Sequence, residues 1–174
     1  MPTILLFIHI VLCAFAICSG ALVLSNLLSN RLAARYATFF LRCSLGSSIA
    51  ALLLQLHHLL PSQKVAMISV YGAGLAILAW RKFHLRGAWR GAFAFTIALV
   101  LYLNILMISI QIFAYPQRID ASAPGIFRVS QSVLFTIFVF LGVGAAERFS
   151  ASRESRRGRA HGSGRLFIRP VSGR

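Results

Sequence analysis

Five long apolar runs, each ended by residues that a helix in lipid avoids, limit this chain more than any other feature. They cover about residues 4–28, 37–60, 65–80, 88–114 and 126–146. A hydrocarbon core of roughly 30 Å takes about 20 helical residues at about 1.5 Å each. Because lipid offers no hydrogen bonds, such a run crosses as a helix, which satisfies its own backbone. The breaks hold arginines between Ser29 and Tyr36, Pro61 to Lys64, the basic run from Arg81 to Gly87, and a segment from Tyr115 to Gly125 that contains Pro116 and Pro124. The expected fold is all-α: an integral membrane bundle of five transmembrane helices over residues 1–146, followed by a tail over 147–174.

Composition agrees, with 58% apolar and 12% charged residues, far from the balance of a water-soluble domain. A net charge of +15 would point to nucleic acid if the cations shared one surface. Here they are divided among loops, so a nucleic-acid partner is not expected. Their distribution predicts orientation instead. If all five runs cross, fifteen Lys and Arg side chains fall on one side: Arg31, Arg35, Arg42, Arg81, Lys82, Arg86, Arg90 and the eight arginines from Arg148 onward. Only Lys64, Arg118 and Arg128 fall on the other. Cytoplasmic flanks collect basic residues, which places the N-terminus outside and the C-terminus inside. The third run, the shortest at about 16 residues, is needed to keep that alternation. Tyr36, Trp80, Trp89 and Tyr115 stand near run ends, where amphipathic rings prefer the interface.

The first run does not have the pattern of a cleaved signal peptide. Met1 to Thr3 has no basic side chain, and the apolar stretch continues to Leu28. Ile17 before Cys18 and Leu12 before Cys13 likewise do not fit a lipid-attachment signal. With Cys43 these thiols have no CxxC spacing and are read as small packing residues. The tail, rich in Arg, Ser and Gly, has no hydrophobic period and is expected to be disordered. It serves as a topology determinant or as a tether to anionic lipid headgroups.

Small residues set helix packing in lipid, and polar ones link helices. The first run offers Cys13, Ala16 and Gly20 on one stripe, the second Ser44, Ser48 and Gln55, the third Ser69, Gly72 and Ala76, the fifth Gly142 and Gly144. Ionisable and amide side chains within spans are functional candidates by default. The candidates singled out are His9, Gln55, His57, His58, Asn104, Gln111 and Gln131, and by topology they converge in the outer leaflet. Two histidines from different helices are a ligand set for a haem iron or another transition metal, and nearby amides suit a quinone. The alternative is that the amides bond helix to helix and the histidines reach interfacial water. Helical spacing turns His57 away from the Gln55 face that His58 approaches. No GxGxxG, GK[ST], HExxH or serine-elbow motif occurs, and Asp120, Glu147 and Glu154 are the only carboxylates. An enzymatic reaction is therefore not the leading expectation.

Several short motifs resemble a family of small bacterial inner-membrane proteins with no assigned activity. They are IHI around His9, Ser19 with Gly20, Pro61 with Ser62, MIS from Met67, GAWR from Gly87, LYLN ending at Asn104, Gln111 followed by IF, and Gln131 within FRVSQ. The resemblance spans most of residues 8–149. It implies a multi-pass protein of the bacterial inner membrane. The family's second segment ends with a histidine, a spacer and PSH; here His57 takes the first histidine position and Gln63 replaces the second. The leading expectation is a noncatalytic helical module that binds a protein partner, a second copy or lipid. A haem- or quinone-binding redox protein is the alternative.

The orientation is tested by fusing a reporter active only in the cytoplasm after Arg86 and after Ser62. Activity is expected at the first position and absent at the second; activity after Ser62 overturns the five-span topology.

Overall fold

The computed structural model describes residues 2–54, 61–114 and 123–163. These form five helices and no strand: α1 (Pro2–Leu28), α2 (Ala34–Leu54), α3 (Pro61–Arg81), α4 (Trp89–Ala114) and α5 (Ala123–Ser163). All five are long and apolar enough to cross a membrane. The third helix is longer than its apolar run, because Pro61 starts a helix of 21 residues. Proline is well placed in a first turn, where its missing N–H has no helical partner to lose.

Helices α1 and α3 end for local reasons. Asn30, at φ 58°, takes the left-handed conformation that closes α1. The Arg31 N–H bonds Asn26 O at 2.8 Å and the Asn30 N–H bonds Leu27 O at 3.0 Å, which satisfies carbonyls a helix end leaves open. The segment after α3 turns through two successive left-handed residues, His84 (φ 47°) and Leu85 (φ 51°). Phe83 stacks flat on Trp89, centroids 3.8 Å apart, so the turn is clamped across its own base.

Consecutive helices pack as neighbours and run in opposite directions. Gly20 of α1 meets Phe40 of α2 while Gly46 of α2 meets Leu12. Gly72 of α3 lies against Val100 of α4, and Gly142 of α5 against Phe95 and Ala98. A fourth contact, α1 with α4, closes the group, so α4 is the most buried helix and α5 the least. Between them lies a core of Phe40, Phe93, Ile97, Val100, Leu27 and Val23, all essentially inaccessible. By contrast, Ile126, Val129, Val133, Ile137 and Phe140 on α5 face outward. That spacing is one helical face, apolar and left uncovered by the other helices.

The expected stripes are used selectively. Cys13, Ala16 and Gly20 all face the core, as do Ser44, Ser48, Ser69 and Ala76, whereas Gly144 has open space beside it. One expectation changes. Disorder was expected from residue 147, but α5 continues as a helix to Ser163. A helix already formed extends one hydrogen bond at a time with no new nucleation cost, and Ala, Arg and Glu extend it well. Arg148 reaches back to Leu28 O at 3.5 Å, which puts this part of α5 at the same end of the bundle as the α1 terminus.

At Gly20, side chains of both α2 and α4 press against α1. A Cβ there would sit 2.7 Å from the buried Phe40 ring and 2.8 Å from Leu101. Gly20→Val is expected to lower unfolding stability in detergent by about 1–3 kcal/mol, measured by denaturant titration. Unchanged stability would mean that α1 does not approach α2 and α4 this closely.

Candidate functional site

The polar residues that meet inside the bundle come from α1, α2 and α4. His9 and Cys13, four apart on α1, share a face. That face turns toward Ser44 and Ser47 of α2 and Asn104 of α4. All five are buried, with His9 1% and Cys13 0% exposed. In lipid such groups cost several kcal/mol unless bonded, and here each finds a partner.

The bonds form a chain across three helices. His9 Nδ1 lies 2.9 Å from the Ser47 carbonyl oxygen. A carbonyl only accepts, so Nδ1 carries a proton and donates it to that oxygen. Ser47 Oγ sits 3.2 Å from the same nitrogen and 2.8 Å from Cys13 Sγ. Cys13 Sγ in turn is 3.9 Å from His9 Nε2 and 3.9 Å from Asn104 Oδ1. Asn104 Nδ2 donates to Ser44 Oγ and to Val100 O, both at 2.8 Å. Asn104 thereby holds its own helix at one end and α2 at the other.

Of the candidate residues read from the sequence, His9 and Asn104 are brought into this one cluster. Gln131 is not. It sits on α5 with its Oε1 buried and without a hydrogen-bond partner, and no bond of the cluster reaches it. Gln55, His57 and His58 lie outside the described residues, as does the side chain of Gln111. Two members escaped the sequence reading. Cys13 was assigned to packing alone, yet its sulfur joins His9, Ser47 and Asn104. Ser47 was not singled out at all, because its neighbours Ser44 and Ser48 made the more obvious stripe. The available signal was the four-residue spacing of His9 and Cys13.

The geometry does not fit a haem at His9. An iron bonded to an imidazole stands about 2 Å from the ring nitrogen. Nδ1 is engaged by Ser47, and Nε2 faces Cys13 Sγ at 3.9 Å. No open ring edge is left for a macrocycle. Among the described residues no group of three or more His, Cys, Asp or Glu side chains is arranged for a metal ion.

Set against known proteins, the chain matches no family model, no curated protein and no solved structure.

Asn104→Ala is expected to destabilise the folded protein in detergent by about 0.6–2 kcal/mol, the range for interhelical bonds in membranes. Asn104→Leu removes the same bonds while filling the volume. If neither substitution changes the unfolding midpoint, Asn104 does not bridge α2 and α4.

Proposed function

We propose that the chain is a noncatalytic membrane module, a helical bundle that binds lipid or a protein partner at its periphery. The observation that carries this is the closure of the polar cluster. His9, Cys13, Ser44, Ser47 and Asn104 bond one another across α1, α2 and α4 and are at most 3% exposed. Groups that act on a substrate need to be reached by it; these are sealed and serve to fix how three helices pack. The outward face of α5, from Ile126 to Phe140, offers apolar surface to lipid, a second copy or another membrane protein.

The location that goes with this module is the bacterial inner membrane, with the N-terminus outside and the basic tail in the cytoplasm. The asymmetry of Lys and Arg supports the orientation. The GAWR and LYLN motifs, with Gln111 beyond them, support membership of the bacterial inner-membrane family they resemble. The arginines from Arg148 onward would then lie next to the anionic cytoplasmic leaflet.

The test is an absorption spectrum of detergent-purified protein, with organic extraction of any quinone. A spectrum with no Soret band and no extracted quinone is expected, and His9→Ala is expected to reduce stability through loss of the Ser47 bond. A Soret band that disappears in His9→Ala, or stoichiometric quinone, overturns the module in favour of a redox protein.

A further inference from the structure

A half-open cavity of about 580 Å³ lies between α2 and α3, at the end of the bundle where α3 stops. Its walls are two chemistries. Leu41 and Ile77 make an apolar lining, Trp80 adds an aromatic wall, and Arg42, Arg81 and His84 bring basic side chains to the same space. The volume is that of a small-molecule site.

Arg42 is the informative member. It lies eight residues into α2, about 12 Å along the helix axis at 1.5 Å per residue. It therefore sits within the candidate span Ala34–Leu53, where a cation is costly unless it is paired or reaches water. Carboxylates are scarce in this chain. Asp120 is outside the described residues, and Glu147 and Glu154 are on α5, which packs on α4 and α1 rather than on α2 or α3. Among the described residues neither the Arg42 nor the Arg81 guanidinium forms an ion pair or hydrogen bond. Two cations thus share a groove whose own protein walls hold no anion.

The rim is held in shape. His84 is fixed in the left-handed turn, its Nδ1 3.2 Å from Lys82 O, and the Phe83–Trp89 stack locks the turn's ends. Trp80 is braced edge-on by Phe93, centroids 5.9 Å apart. A ligand entering this groove does not have to order it first, which favours binding.

We infer that this groove is a binding site for one anionic phospholipid, with its phosphodiester held by Arg42 and Arg81 beside His84 and an acyl chain lying along Leu41 and Ile77. A phosphate oxygen accepts charge-assisted hydrogen bonds from arginine, which are shorter and stronger than neutral ones. Trp80 has the amphipathic ring that suits headgroup depth. A free phosphate would satisfy the arginines but leave the apolar walls bare, which favours the lipid. The site is distinct from the basic tail and needs only that the bundle be embedded, whichever end faces the cytoplasm. It rests on the lipid-binding side of the proposed module, and the two fail separately: a chromophore at His9 would overturn the module and leave the groove's lipid preference intact.

Trp80 is the local reporter. The full chain carrying Trp89→Phe, which keeps the stack on Phe83, is reconstituted in phosphatidylcholine vesicles. A minor fraction of lipid is acyl-brominated phosphatidylglycerol or acyl-brominated phosphatidylcholine. Quenching of Trp80 is expected to report a preference of up to about thirtyfold for phosphatidylglycerol, the size that two interfacial cations supply at about 1 kcal/mol each. Adding Arg42→Gln and Arg81→Gln, with the tail unchanged, is expected to abolish the preference while the helical circular dichroism persists. Should the double variant not fold, Arg81→Gln alone is read and is expected to reduce the preference severalfold. Equal quenching by both lipids overturns the site. So does a preference that survives the arginine substitutions, which would assign it to the tail, or one removed by inorganic phosphate, which would assign the groove to a free anion.

Discussion

A polar group inside hydrocarbon must find its partner within the protein, and the rest of this structure depends on that constraint. It makes every span a helix. It also bears on which helix faces meet, because Asn104 bonds across to α2 where α4 lies close to Ser44, and His9 bonds across where α1 presents it to the Ser47 carbonyl. Apolar packing between helices in lipid has no comparable directional preference. The small residues then let the backbones approach closely enough for those bonds to form: Gly20 admits Phe40 and Leu101 to the surface of α1.

The cluster and the periphery have different tasks. His9, Cys13, Ser44, Ser47 and Asn104 are enclosed and bonded across α1, α2 and α4, so they define how those helices are arranged. What the molecule offers to its surroundings is on the outside. The α5 face from Ile126 to Phe140 is apolar, with Phe140 73% exposed. The other exterior feature is the groove between α2 and α3, where basic side chains and apolar walls coincide.

Basic residues contribute twice. As a population they divide fifteen to three between the two sides that a five-span reading of the sequence implies, which is the asymmetry behind the proposed orientation. As individuals they have local roles that a count cannot distinguish. Arg148 reaches the end of α1, Arg90 lies over the Phe149 ring at 4.2 Å, and Arg42 lines a cavity two turns inside its helix.

The five helices were legible in the sequence because run length and hydropathy are local properties, and a bilayer converts them directly into spans. Boundaries were less so. Pro61 reads as a break by composition but serves as a first-turn residue, and α5 runs on past residue 147 because helix extension is cooperative. For the polar residues, the sequence by itself identified His9 and Asn104 as groups that need partners, from their depth and chemistry. It did not identify those partners. That Cys13 and Ser47 stand between His9 and Asn104, that Gln131 stays apart, and that Arg42 and Arg81 share one groove were decided only by the tertiary structure. Each depends on the rotation and register of one helix against another, which residues far apart in the chain set together.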